Sequence, residues 1–161
     1  MSLKSSILFI IIAVLFISCD KKRVFDEYQS VGSAWNLKKE VVFELPKIDT
    51  LKKYNLFINL RANDDYKFNN LFLIVSLEQP NGLTKVDTLE YQMANPDGTL
   101  LGTGFSDVKE SKLWYKENYS FEKPGKYTLE VEHAVRQTGK VQGVKDLTGI
   151  TDLGFRIEKR K

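Results

Sequence analysis

Thiols and imidazoles are nearly missing from this chain. Of its 161 residues, only Cys19 is a cysteine and only His133 is a histidine. A single cysteine cannot close an internal disulfide, and the pair is too few for a Cys/His zinc site. A His-assisted nucleophile would need Ser and an acid to converge on His133, and no Gly-x-Ser-x-Gly elbow is present. Gln137 to Gly143 (QTGKVQG) contains Gly-Lys without the spacing of a phosphate cradle, and reads as a loop. An excess of one charge is also lacking: 24 Lys+Arg stand against 21 Asp+Glu, a formal net charge of +3. The basic clusters Lys21-Lys22-Arg23 and Lys159-Arg160-Lys161 lie near the two ends, and no basic stripe is interleaved with aromatics. That excludes a nucleic-acid footprint. There is no internal repeat and no low-complexity tract.

A hydrophobic run long enough to cross a bilayer is missing as well. Ile7 to Ile17 (ILFIIIAVLFI) is shorter than the ~20 apolar residues that a span requires. It follows a start charged by Lys4 and ends at Ser18-Cys19, after which Asp20-Lys21-Lys22-Arg23 is polar. A charged start, a short apolar core and a small residue at the boundary form an export signal. A cysteine at the junction looks like a bacterial lipobox, although Phe16 stands where leucine is usual. The expectation is that residues 1–18 are removed and Cys19 is acylated, giving membrane anchorage through an N-terminal lipid. Two or more acyl chains hold stably where one holds marginally.

Residues 19–36 read as a lipidated N-terminus and tether, and residues 37–161 as one domain. The domain's pattern has period two, which favours strands. Val41, Phe43 and Leu45 alternate until Pro46, and Tyr54, Leu56, Ile58 and Leu60 alternate with Asn55, Phe57, Asn59 and Arg61. Leu71 to Leu77 (LFLIVSL) is continuous and β-rich, which predicts a central strand buried on both faces. Pro80-Asn81-Gly82 turns it into a returning strand over 85–93. Leu113 to Phe121 is aromatic and strand-like. Tyr127, Leu129, Val131, His133 and Val135 share one face of a further strand, and Leu153, Phe155 and Ile157 mark the last. Residues 136–152 read as a longer loop. Short strands, frequent turns and no convincing long helix predict an all-β chain, an antiparallel β-sandwich of Ig-like or jelly-roll-like form, with a closed barrel as the alternative.

Few residues suggest chemistry. His133 sits on the core face of its strand, so a packed, hydrogen-bonded imidazole is expected. Asn63, Asp64, Asp65, Asn69 and Asn70 could offer hard oxygens to calcium, yet the same residues make loops. Trp35, Trp114, Tyr115 and Tyr119 are candidate stacking residues for a glycan or a protein, with at least half of them expected in the core. No catalytic residue, cofactor or metal ligand is assigned, and only Cys19 is named as a site, for lipidation. Edge strands of a sandwich could accept a strand from a partner protein.

The mature chain resembles the gliding-motility lipoprotein family GldH of the Bacteroidota. The resemblance is carried by CDKKRVFDEYQSVGSAW at 19–35, FELPKIDTLKKYNLFINLRANDDY at 43–66 and NLFLIVSLEQPNG at 70–82. FEKPGKYTLEVEHAVR at 121–136 and GITDLGFRIEK at 149–159 extend it to the end of the domain. It implies a lipid-anchored envelope component required for gliding, a structural or assembly part of machinery linked to type IX secretion. Partners would be other envelope proteins of that machinery. A carbohydrate-binding envelope lipoprotein is the alternative, favoured if Trp35, Trp114 and Tyr115 prove exposed and coplanar. The basic residues following Asp20 break any acidic export run, pointing to the outer membrane with the domain facing the periplasm; retention at the inner membrane, signalled by Asp20 alone, is the alternative.

Overall fold

The computed structural model describes residues 20–104 and 106–160. The export signal and Cys19 lie outside the described residues. All elements among the described residues are strands: β1 (Arg23–Ser30), β2 (Ala34–Asn36), β3 (Val41–Glu44), β4 (Tyr54–Ala62), β5 (Asn70–Glu78), β6 (Thr84–Gln92), β7 (Lys109–Tyr119), β8 (Thr128–His133), β9 (Asp146–Thr148) and β10 (Ile150–Lys159). Sheet I has the order β1-β10-β4-β7 and sheet II the order β3-β8-β5-β6, while β2 and β9 form a short ribbon. Every strand pair is antiparallel. The chain crosses between the sheets at most connections, so the sandwich rests on long-range pairing.

The core lies between the sheets. Phe25 of β1, Phe43 of β3 and Phe155 of β10 meet with ring centroids 6.1–6.4 Å apart. Tyr54, Phe121 and Tyr127 form a second, edge-to-face aromatic group at one end. Alternation places Leu71, Leu73, Val75 and Leu77 of β5 against Leu129 and Val131 of β8, all nearly inaccessible to water. Burying each such side chain contributes about 1.5–3 kcal/mol. The predicted inward face of β8 is observed in full: Tyr127, Leu129, Val131, His133 and Val135 are all buried.

The structure corrects three readings. Residues 23–30 are not a tether but strand β1, whose alternate residues Phe25 and Tyr28 pack inward and outward as it pairs with β10. Arg23, Asp26 and Gln29 interrupt the apolar alternation of this edge strand, which hid it in the sequence. Strand β5 is not buried on both faces: Phe72, Ile74 and Ser76 are half-buried on the outer side of sheet II. The strand with a covered outer face is β4 instead, where Phe57 and Asn59 are buried although they point away from the core. Residues 136–152 are not one long loop. They contain the bridge Arg136↔Gly143, strand β9 and the start of β10. Gly149 joins β9 to β10 at φ +86, and a Cβ there would lie 2.0 Å from the Tyr66 backbone nitrogen. Only glycine meets both demands.

Candidate functional site

His133 is packed in the core. It is 1% exposed, its ring lies edge-on to Trp35 at 5.3 Å, and its Nε2–H donates to the Trp35 carbonyl at 2.9 Å. That bond pins β2 to the end of β8. Burial pushes its pKa down, favouring neutral imidazole. Nδ1 has no hydrogen-bond partner among the described residues, so no carboxylate orients the ring as it does in a triad.

The acidic loop is engaged in its own turn. Asn63 Oδ1 accepts from Asp65 N–H at 3.1 Å, and its carbonyl accepts from Tyr66 N–H. Asn69 receives Met93 through its carbonyl, and the Asn70 amide donates to Glu90. The segment Gln137–Gly143 forms the tip of a hairpin closed by Val144 N–H to the Val135 carbonyl at 2.8 Å.

The aromatic trio does not assemble. Trp35 is fully buried, with its indole N–H donating to the Lys39 carbonyl at 2.8 Å. Tyr115 leans toward the core of sheet I and donates to Asp87 at 2.7 Å. Tyr119 packs on Phe121. Trp114 alone stands out, 54% exposed and laid against Phe57 with ring centroids 4.4 Å apart. A coplanar glycan platform of Trp35, Trp114 and Tyr115 is therefore ruled out, because alternation along β7 sends Trp114 and Tyr115 to opposite faces.

The two outer faces differ in how their charges are matched. On sheet I, Arg156 binds Asp20, Asp26 and Glu158, Lys112 adds a bond to Glu158 at 2.7 Å, and Arg61 holds Glu110 at 3.0 Å. Tyr28 packs against Gly154, where a Cβ would come within 2.9 Å of its ring, and the Arg61 guanidinium lies over the ring at 4.3 Å. The charges named on this face are internally matched.

Those on sheet II are not all matched. Register aligns Val42, Glu130, Ser76 and Val86 across its four strands, with Glu132, Ile74 and Thr88 in the neighbouring row. An open groove of ≈ 510 Å³ runs between Phe72, Ile74, Thr88, Ala134 and Arg136. Val42 and Val86 extend the apolar strip at 36% and 61% exposure. Carboxylates ring it: Glu44 is paired with Lys126 at 2.9 Å, but Glu40, Glu78, Glu90, Glu130 and Glu132 make no salt bridge among the described residues. Burial, with the hydrogen bond and charge of Glu40 and the charge of Glu130, raises the pKa of Glu132. Arg136 lies at the groove and is the one cation lining it, while the carboxylates around the strip outnumber it. An apolar strip with crowded carboxylates that make no salt bridge is a surface whose free energy falls when a cationic partner covers it.

The sheet edges are less open than the sequence suggested. Gln29 Nε2 donates to the Val42 carbonyl, joining the edges of β1 and β3. Tyr91 donates to the Trp114 carbonyl at 2.7 Å, and Thr103 and Glu110 exchange backbone bonds along the edge of β7.

A profile of the GldH lipoproteins matches residues 23–157. The chain belongs to the GldH lipoprotein family. The match begins at the first residue of β1 and stops within β10, so β1 is part of the family's domain. Gliding motility lipoprotein GldH of Flavobacterium johnsoniae is 62% identical over 160 residues, covering 99% of each chain. The GldH homolog of Christiangramia forsetii is 54% identical over 155 residues, covering 96% of this chain and 95% of its own. Among solved structures, a 4-O-methyl-α-glucuronidase specific for decorated arabinogalactans overlays at TM-score 0.42 and 10% identity, covering 89% of this chain and 18% of its own. Membership in a lipoprotein family makes this a membrane-anchored envelope protein. The outer face of sheet II is the surface that the sequence reading missed. Its apolar residues read in the sequence as part of a doubly buried strand, and its carboxylates are scattered over β3 and the residue before it, β5, β6 and β8.

Proposed function

We propose that this protein is a lipid-anchored component of the gliding machinery that works by holding protein partners rather than by turnover. Cys19 is its acylated residue, and its machinery is linked to type IX secretion. Both curated relatives bear the name of gliding motility lipoprotein, at 62% and 54% identity over nearly the whole chain. The observation that carries the binding role is the outer face of sheet II, with its apolar groove and unmatched carboxylates. The occupant it fits is a basic segment of a partner protein that alternates Lys or Arg with aliphatic residues. Such a segment would fill the groove at Phe72 and Ile74 and neutralise Glu130 and Glu132. Binding by this face is favoured over strand addition, because Gln29, Tyr91 and Thr103 occupy edge groups of β3 and β7. Anchorage in the outer membrane, with the domain in the periplasm, follows from the basic residues after Asp20.

The test is complementation of cells that lack the protein. Glu130→Lys/Glu132→Lys alters partly exposed side chains and leaves the core intact. The expected result is normal protein level, normal folding and lost gliding. His133→Gln, at a residue with no assigned chemistry, is expected to glide. Full gliding by the Glu130→Lys/Glu132→Lys protein would reject this face, and loss of gliding by a well-folded His133→Gln protein would argue for catalysis.

A further inference from the structure

The end of the sandwich where the chain enters is basic. Backbone hydrogen bonds draw three segments together there: Lys159 N–H donates to the Lys22 carbonyl at 2.8 Å, and Arg160 N–H to the Lys53 carbonyl at 3.0 Å. Lys21, Lys22, Arg23, Lys53, Lys159 and Arg160 thus crowd the ends of β1, β4 and β10. All are exposed, and none makes a salt bridge among the described residues. Several acids at this end are already matched. Asp20 binds Arg156, Asp49 binds Lys52 at 3.1 Å, Glu44 binds Lys126 at 2.9 Å and Glu122 binds Lys85 at 3.3 Å. Glu27, Glu78 and Glu117 make no salt bridge among the described residues, fewer than the six free cations. Two loop tips at the same end expose leucine, Leu51 at 93% and Leu83 at 62%.

We propose that this end of the domain docks on a bilayer surface of anionic phospholipid headgroups, with Leu51 and Leu83 reaching the interface. The proposal rests on the lipid anchor. Cys19 immediately precedes Asp20 in the chain. Asp20 is in turn held to β10 by Arg156, and β1 begins at Arg23. No slack separates the acylated residue from the folded domain, so the basic end and the lipid face the same membrane. A negatively charged bilayer supplies the matching chemistry. Each Lys or Arg near such a surface strengthens partitioning by roughly fivefold, an effect that fades beyond a Debye length. Docking by the strand ends leaves the outer face of sheet II free for a protein partner.

The test uses the full acylated protein in vesicles of phosphatidylglycerol and phosphatidylcholine, with lysines modified by a water-soluble amine reagent and read by mass spectrometry. Lys53 and Lys159 are expected to be protected severalfold relative to Lys140 and Lys145, which lie at the opposite end. Protection should vanish in phosphatidylcholine alone, and in roughly 1 M salt, where the Debye length falls to about 3 Å. Lys53→Gln/Lys159→Gln/Arg160→Gln alters only exposed side chains and is expected to deprotect Lys22. Equal labelling at both ends, or protection unchanged in phosphatidylcholine alone, overturns the docking while leaving partner binding intact. A protein that fails to float with any vesicle removes the lipid anchor itself, and the docking with it.

Discussion

Replacing Arg156 by Met tests whether the charge cluster on sheet I holds the first strand in place. Arg156 is 16% exposed and bonds to Asp26 and Glu158, at 18% and 14%, as well as to the more exposed Asp20. In the variant Glu158 retains Lys112. Asp26 loses its cation, and its Oδ1 already has no hydrogen-bond partner among the described residues. Breaking a fully buried pair costs about 3–5 kcal/mol. With about a sixth of these side chains still in water, ~2–3 kcal/mol is the expected loss, a sizeable part of the ~5–15 kcal/mol of an ordinary domain. Urea unfolding of the mature chain, followed by circular dichroism and tryptophan fluorescence, measures it. Asp26→Asn in the Arg156→Met background should recover part of the loss, because the uncompensated charge is then gone. The pH dependence gives a second check. Bonds from Lys112 and Arg156 outweigh the opposing burial and hold the Glu158 pKa below its ordinary value. Its contribution is therefore present above the unfolded pKa of about 4.3 and is lost as pH falls through the lower folded value. The deficit of Arg156→Met should accordingly shrink in acid. A loss below ~0.5 kcal/mol at neutral pH would place the cluster with ordinary surface ion pairs and refute the reasoning.

Other changes probe other parts of the account. Val131→Asp puts a carboxylate at a 1% exposed position between Val41 and Val75, and is expected to cost several kcal/mol, leaving insoluble or unfolded protein. Gly149→Ala should destabilise through both its positive φ and its clash with Tyr66, read as a lowered urea midpoint. The depressed His133 pKa means that the unfolded chain binds its proton more readily, so stability should start to fall as pH drops through about 6.5. His133→Gln should flatten that part of the profile. Cys19→Ser is expected to abolish incorporation of an alkyne fatty acid; equal labelling of both proteins would reject acylation.

Most of the domain was legible because its strands alternate cleanly. The face of β8 from Tyr127 to Val135 and the hairpin through Pro80-Asn81-Gly82 are where the residue pattern puts them. The failures share a cause: a strand's outer environment is set by its neighbours, not by its own residues. LFLIVSL reads as doubly buried, yet no element covers Phe72 and Ile74. Phe57 and Asn59 alternate with the core residues of β4, yet the outer face of sheet I buries them too. Strand β1 is an edge strand interrupted by charges, and one of them, Asp26, pairs with Arg156, more than a hundred positions away in the chain. For the same reason the acidic rim of sheet II could not be read from the sequence. Glu40, Glu130 and Glu132 meet only once β3 and β8 pair. His133, by contrast, was read correctly as a core residue, since the apolar alternation around it leaves no other face.

The most direct measurement is site-specific photocrosslinking in gliding cells, with the reactive group placed at Thr88 on sheet II and, separately, at Lys112 on sheet I. The account predicts a discrete protein adduct from Thr88, joined through a segment of net positive charge and lost in Glu130→Lys/Glu132→Lys cells, with none from Lys112. Adducts from Lys112 alone, or no protein adduct from either position, would contradict it.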